Sequence, residues 1–230
     1  MLAKDSPDLK PLDIGYWEHI KSTFSVENIR ENKNIFLVLG AIGIWAIGFN
    51  VFFPFIIIYL QHYIGLDLPV SSLVIFLGLL ISIILGIPIG KLVDRAGRKK
   101  FAIYSVFFLS VSLIFFSLTT DFILLTIFAI MWVLGMTTWH IATQTWINDL
   151  FPKDKAGHFQ GYYLVFNVLI GMFIGPFIGN LIAELWGAPI IIDGIPGLVP
   201  PPQIYFVAAI IILFSIIPLK WAKELKQIRD

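Results

Sequence analysis

All sixteen Lys and Arg residues of this chain lie in four segments at the margins of long apolar runs, and this alternation limits what the chain can fold into. The N-terminal stretch holds Lys4, Lys10, Lys21, Arg30 and Lys33. A second group is Lys91, Arg95, Arg98, Lys99 and Lys100, a third is Lys153 and Lys155, and the last is Lys220, Lys223, Lys226 and Arg229. Six apolar runs lie between them, at about residues 35–63, 70–89, 101–118, 122–147, 159–183 and 204–221. Each is near the roughly 20 residues that a helix needs to cross about 30 Å of hydrocarbon. In lipid the backbone must satisfy its own hydrogen bonds, so such runs are predicted to be helices. The alternating segments of about ten residues that a barrel requires are absent. Six crossings place the four basic segments on one side, and the first, third and fifth loops carry no Lys or Arg. The positive-inside rule makes the basic side the cytoplasm, with both termini there, in a multi-pass protein of the cell membrane.

Composition agrees with lipid as the solvent. Hydrophobic residues make up 58% of the 230 and charged residues 13%, against about 25% charged in soluble domains. The net charge of +1 gives no reason to expect nucleic acid as a partner. The chain has no Cys, which excludes disulfides, thiol chemistry and Cys-based metal sites. The first 34 residues are polar and lack the apolar core of a signal peptide. Trp17, Ile20 and Phe24 recur there at helical spacing, as a short interfacial helix would have them, or as scattered aromatics in a disordered tail. The fifth loop, residues 186–203, is apolar and rich in Gly and Pro. It is not expected to be helical and should fold back against the helix ends. No G-x-S-x-G or H-E-x-x-H occurs, and His140 has no carboxylate one helical turn away. Neither catalysis, a metal nor a cofactor is expected.

Between the second and third runs stands Gly90-Lys91-Leu92-Val93-Asp94-Arg95-Ala96-Gly97-Arg98-Lys99-Lys100. Gly90 and Gly97 permit a tight reversal and close helix approach. Asp94 suits a helix N-terminus, and Arg95 and Arg98 suit carboxylates or helix C-termini. The segment resembles the loop signature of the major facilitator superfamily, G-x-L-x-D-R-x-G-R-[KR]-x, with every fixed position filled. The resemblance implies an inter-helix latch for Gly90, Asp94, Arg95, Gly97 and Arg98. Residues 150–161 resemble more softly the link between the fourth and fifth helices of a facilitator half, with Lys155 and His158 where relatives usually have Arg.

The implied fold is an all-α integral membrane protein, a six-transmembrane-helix bundle forming one half of a major facilitator fold. Residues 1–34 resemble the cytoplasmic linker between halves, 35–222 form the bundle, and 223–230 form a cytoplasmic tail. The superfamily has two such halves, so the chain resembles the C-terminal half of a split or truncated transporter. Its expected partner is an N-terminal six-helix half or a second copy of itself.

Small residues four apart let helix backbones approach closely in lipid. The fifth run has Gly171, Gly175 and Gly179 at this spacing, beside Pro176, and the second has Gly86 and Gly90. In the superfamily the second and fifth helices form the seam between halves, so the resemblance implies that these glycines meet a partner. Packing within the bundle is the alternative.

Intramembrane polar residues mark candidate solute contacts. Asn50 lies mid-run, and Pro54 cannot donate to its carbonyl. The fourth run places Trp132, Trp139, Thr143 and Trp146 on one face, flanked by Met136 and His140, with Gln144 nearby. The fifth adds Gln160, Tyr163 and Asn167 at helical spacing. An aromatic wall with few polar groups suits a small solute showing apolar ring faces and hydroxyls. His140 is either a hydrogen-bonded structural residue or a ligand or proton site. A sugar-like solute is favoured, with a lipophile or drug efflux half, or a non-transporting remnant, as alternatives. No Asp, Glu, Lys or Arg lies deep in any run.

Overall fold

The computed structural model describes residues 26–152, 156–192 and 194–224. The aromatic stripe of Trp17, Ile20 and Phe24, the third basic group (Lys153 and Lys155) and the tail beyond Glu224 lie outside the described residues. After a short helix, Val26–Glu31, six helices long and apolar enough to cross a membrane follow. They are Lys33–Tyr63, Leu68–Ala96, Arg98–Leu118, Phe122–Leu150, Phe159–Trp186 and Gln203–Trp221, called here the first to sixth spans.

The second and fourth spans begin where side chains supply their caps. The Asp67 carboxylate accepts from the Val70 N–H at 3.1 Å, and the Asp121 carboxylate accepts from the Leu124 N–H at 3.0 Å. Each anion also sits at the positive end of a helix dipole. The second span ends at Gly97, whose φ of +102° is open only to glycine, and whose N–H donates to the Val93 carbonyl.

Successive spans run in opposite directions, which gives the bundle two ends. Asn34, Arg98, Asp149 and Lys223 meet at the basic end. Tyr59, Phe116 and Tyr205 meet towards the opposite end. The first span is the hub. A Cβ at Gly48 would stand 2.6 Å from Ile212 of the sixth span. On another side the fifth span closes on it through three glycines. A Cβ at Gly171 would stand 2.8 Å from that of Ala46, one at Gly175 would stand 2.5 Å from that of Asn50, and one at Gly179 would collide with Val51 and Phe55. The stripe expected to face another half therefore packs inside this bundle. The first span offers it Ala46, Asn50 and the backbone carbonyls of Ile47 and Val51, small enough for helix-to-helix contact. Gly86 has nothing within 4 Å of its Cβ position, and Gly90 has only Ile141, at 4.0 Å.

The second and fifth spans remain the least covered, with 22% of the most apolar stretch of each buried. Their open faces carry Phe76, Ile83, Ile84 and Ile87 on one and Leu169, Phe173 and Phe177 on the other.

Two expectations of local structure are corrected. Gly90–Ala96 is the last two turns of the second span rather than loop, so Gly90 makes no reversal and Gly97 alone does. The leucine- and isoleucine-rich run continues into Lys91, Val93 and Asp94, residues that a helix accepts until a glycine of positive φ ends it. The fifth loop is not irregular. It forms a β-hairpin, β1 (Ala188–Ile192) and β2 (Ile195–Val199), paired from Ala188↔Val199 to Ile192↔Ile195. The two-residue connection is Asp193-Gly194, a hairpin signal when flanked by β-branched residues, and Gly194 has φ +80°.

Candidate functional site

A cluster of aromatic rings lies between the first and fourth spans. Trp45 stacks on Trp139 with centroids 5.5 Å apart and stands edge-on to the His140 ring at 4.9 Å. On its own helix Trp45 stacks with Phe49 (5.1 Å), and Phe49 with Phe53 (4.7 Å). Residues 45, 49 and 53 are four apart, so their rings climb one face of the helix. The run is buried at Trp45, half-buried at Phe49 and exposed at Phe53. It leads from the bundle surface down to His140, which is itself half-buried.

The fourth-span stripe divides by depth. Trp132, Trp139, Thr143 and Trp146 are buried, while Met136, His140 and Gln144 are half-buried. Trp132 meets Phe52 edge-on at 5.4 Å. The indole N–H groups of Trp45, Trp132 and Trp139 are buried and have no hydrogen-bond acceptor among the described residues. The hydroxyls behave differently. Thr138, Thr143 and Thr145 donate to the carbonyls of Leu134, Trp139 and Ile141 on their own helix. Such back-bonding satisfies a hydroxyl in an apolar setting and leaves it less available to a ligand. The Gln144 amide donates to Asn148 at 3.3 Å, and the Asn50 amide to the Ala46 carbonyl at 2.9 Å.

Pro54 lies in a 3-10 turn, Phe53–Phe55, and the first span ends in a π-helical turn, Tyr59–Tyr63. The fifth span has its own π-helical stretch, Val165–Ile170, which includes Asn167 and packs on the first span through Phe166, 3.1 Å from the Cβ position of Gly43. Such stretches are uncommon and frequent at functional sites. The α-helical spacing of Gln160, Tyr163 and Asn167 is interrupted there. Tyr163 is buried, and Asn167 and Gln160 are half-buried.

A second cluster closes the basic end. The Arg98 side chain, 9% exposed, forms an ion pair with Asp149 at the end of the fourth span and donates to the Thr145 carbonyl at 3.2 Å. Asp94 is a more distant partner at 3.9 Å and is largely exposed. Glu224, just past the sixth span, accepts from the backbone N–H of Arg98 at 2.6 Å and of Lys99 at 3.4 Å. It thus satisfies the first N–H groups of the third span, where an anion is favoured. Lys99 Nζ donates to the Lys220 and Ala222 carbonyls at 2.9 and 2.7 Å, the matching contact at a helix C-terminus. Asn34 and Lys223 exchange two hydrogen bonds, joining the start of the first span to the end of the sixth. A Cβ at Gly97 would stand 3.3 Å from Glu224. Arg95 is exposed.

Sequence reasoning singled out Arg98, Gly97 and the fourth-span stripe, which the structure places in these two clusters. It missed Trp45, Phe49 and Phe53, although their four-residue spacing is legible in the sequence. It also missed Asn34, Asp149 and Glu224 as partners of the loop, because they approach it only through the fold.

The sequence profile of the Major Facilitator Superfamily matches residues 38–227. Comparison with curated proteins finds no match.

Proposed function

This chain belongs to the Major Facilitator Superfamily, and we propose that it is one six-helix half of a secondary transporter that moves a small solute by alternating access. The observation that carries this reading is the family match over a single six-span bundle whose second and fifth spans keep open apolar faces. Alternating access needs two units rocking about a site near mid-membrane. The second unit is an N-terminal half or a second copy, and the resemblance of residues 1–34 to an inter-half linker favours the former. The basic end faces the cytoplasm of a cell membrane in this reading, with both termini inside.

The solute meets the run of Phe53, Phe49, Trp45 and His140, with Met136, Gln144, Asn50 and Asn167 around it. An uncharged sugar-like solute is favoured. Its ring face suits an aromatic wall, and its oxygens suit the half-buried His140 and Gln144. One observation supports a lipophilic solute instead: the hydroxyls of Thr138, Thr143 and Thr145 are already bonded to their own helix.

Uptake into proteoliposomes carrying both six-helix units separates the two. Saturable uptake of labelled sugars, reduced about two- to tenfold by Trp45→Ala if a ring contact of the stacking class is lost, supports the first reading. Movement of lipophilic dyes with no sugar uptake supports the second. Absence of any solute movement by the paired units would defeat the transporter reading.

A further inference from the structure

The open face of the fifth span changes character towards the end opposite the basic one. Phe173, Phe177, Asn180 and Glu184 are spaced four, three and four apart within one regular helix, Gly171–Trp186, so they line a single face, and all are exposed. The Asn180 amide donates to the Glu184 carboxylate at 2.7 Å. An apolar stripe thus ends in a polar, anionic pair.

Glu184 does not serve its own helix. It lies in the last turn, where the helix dipole disfavours an anion. Asp67 and Asp121, at the same end of the bundle, cap helix N-termini, where an anion is favoured. Nor does this chain supply a countercharge. The three loops at this end hold Asp67, Asp121 and Asp193 and no Lys or Arg. The one histidine there, His62, is on the first span and on neither open face.

We propose that Glu184, held by Asn180, is a docking contact for a basic side chain of the second six-helix unit, and that this unit is a chain of different sequence rather than a second copy. The proposal rests on the half-transporter reading above. Two copies insert with the same sidedness, because Lys and Arg set it, so like ends meet. Fifth span against fifth sets Glu184 on Glu184, and fifth against second sets Glu184 towards Asp67. Either arrangement places acid beside acid. A partner with Lys or Arg at the corresponding end of the facing helix reverses the sign. The 28-residue span reaches about 42 Å at 1.5 Å per residue, against about 30 Å of hydrocarbon, so Glu184 stands at the membrane boundary. A charge pair at such a rim selects the partner more than it tightens the complex.

The chain has no Cys, so a maleimide–benzophenone label at Phe173→Cys, lower on the same stripe, reports what lies against this face without background. The same label at Tyr104→Cys, on the exposed face of the third span, gives the level of chance encounters. In phosphatidylcholine vesicles holding this chain alone, adducts between copies from Phe173 should not exceed that level. In membranes holding the other six-helix unit, the Phe173 label should capture it. Glu184→Lys should lower the capture at least about twofold, with Glu184→Gln between it and the parent. Replacing the partner's basic residue by Glu should restore capture by the Glu184→Lys chain. Thermal unfolding of the Glu184→Lys unit alone should match the parent, since Glu184 is exposed. Adducts between copies well above the Tyr104 level would overturn the choice of partner and leave a homodimer. Capture undiminished by Glu184→Lys would overturn the contact and leave the two-unit reading standing. Capture of neither would remove any second unit from this face, and with it the reading on which the proposal rests.

Discussion

Arg98 shows how one side chain joins separate parts of the chain. Its guanidinium is nearly buried and is held by Asp149, by the Thr145 carbonyl and, more distantly, by Asp94. Removing a partner from a buried charge costs more than losing an exposed pair, because the remaining charge is left uncompensated. Asp149 is partly exposed, so the cost is intermediate. Asp149→Asn should lower stability by about 1–2 kcal/mol, and Asp94→Asn by less than about 1 kcal/mol. Thermal unfolding of both single variants and the double variant in detergent would measure this. An Asp94→Asn loss equal to that of Asp149→Asn would return the main contact to the motif's own carboxylate. The loop's sequence made Arg98 and Gly97 recognisable, because charge and a special φ are local properties. The partners were not recognisable, since Asp149 and Glu224 lie 51 and 126 residues further on and nothing local marks either for this contact.

At the scale of elements the same division appears. Apolar length located all six spans, because lipid requires long uninterrupted helices. It ends the second span seven residues too early, because the helix carries Lys91, Asp94 and Arg95 and stops only at Gly97. It also left the Asp193-Gly194 hairpin as plain loop, although the dipeptide and its isoleucines were in view. Glycine spacing identified a close helix contact and not its partner. A stripe of small residues is equally smooth towards any neighbour, and only the fold shows the first span lying against it. The prediction that follows concerns bundle stability. Gly175→Ala should destabilise the six-helix unit by about 1–3 kcal/mol, and Gly175→Leu by more, since even the added Cβ would stand 2.5 Å from that of Asn50. Gly86→Ala should leave stability within about 0.5 kcal/mol, its Cβ position being open. Denaturation in mixed micelles compares the three. A Gly175→Ala protein as stable as the parent would show that the fifth span is not seated as described.

The whole molecule is organised by its two ends. At the basic end polar contacts tie together the ends of the first, third, fourth and sixth spans, and at the other end aromatic rings join the first, third and sixth. With sidedness set by Lys and Arg, cysteines at Asp67 and Thr120 should react with an impermeant reagent from outside. A cysteine at the exposed Lys100 should react only after permeabilisation, and outside labelling there would invert the arrangement.

The open faces of the second and fifth spans lead to the most exposed expectation. Phe173 is 81% exposed and Ile83 is 73% exposed, both well inside their spans. In lipid such faces need no cover, since acyl chains are as apolar as the side chains, so exposure alone does not require a partner. The requirement comes from mechanism: a unit that rocks must rock against something. Purified alone as a monomer, the chain should show no saturable transport. In membranes containing the other six-helix unit, cysteines at Phe173 and Ile83 should crosslink to it, while cysteines at Tyr104 and Phe107 on the exposed face of the third span should not. Gly175→Ala should weaken the bundle without abolishing that crosslink, because the glycine faces the first span and not the seam. Equal crosslinking from the third span would show that association does not use the second and fifth, and a lone monomer that concentrates a solute would end the half-transporter reading.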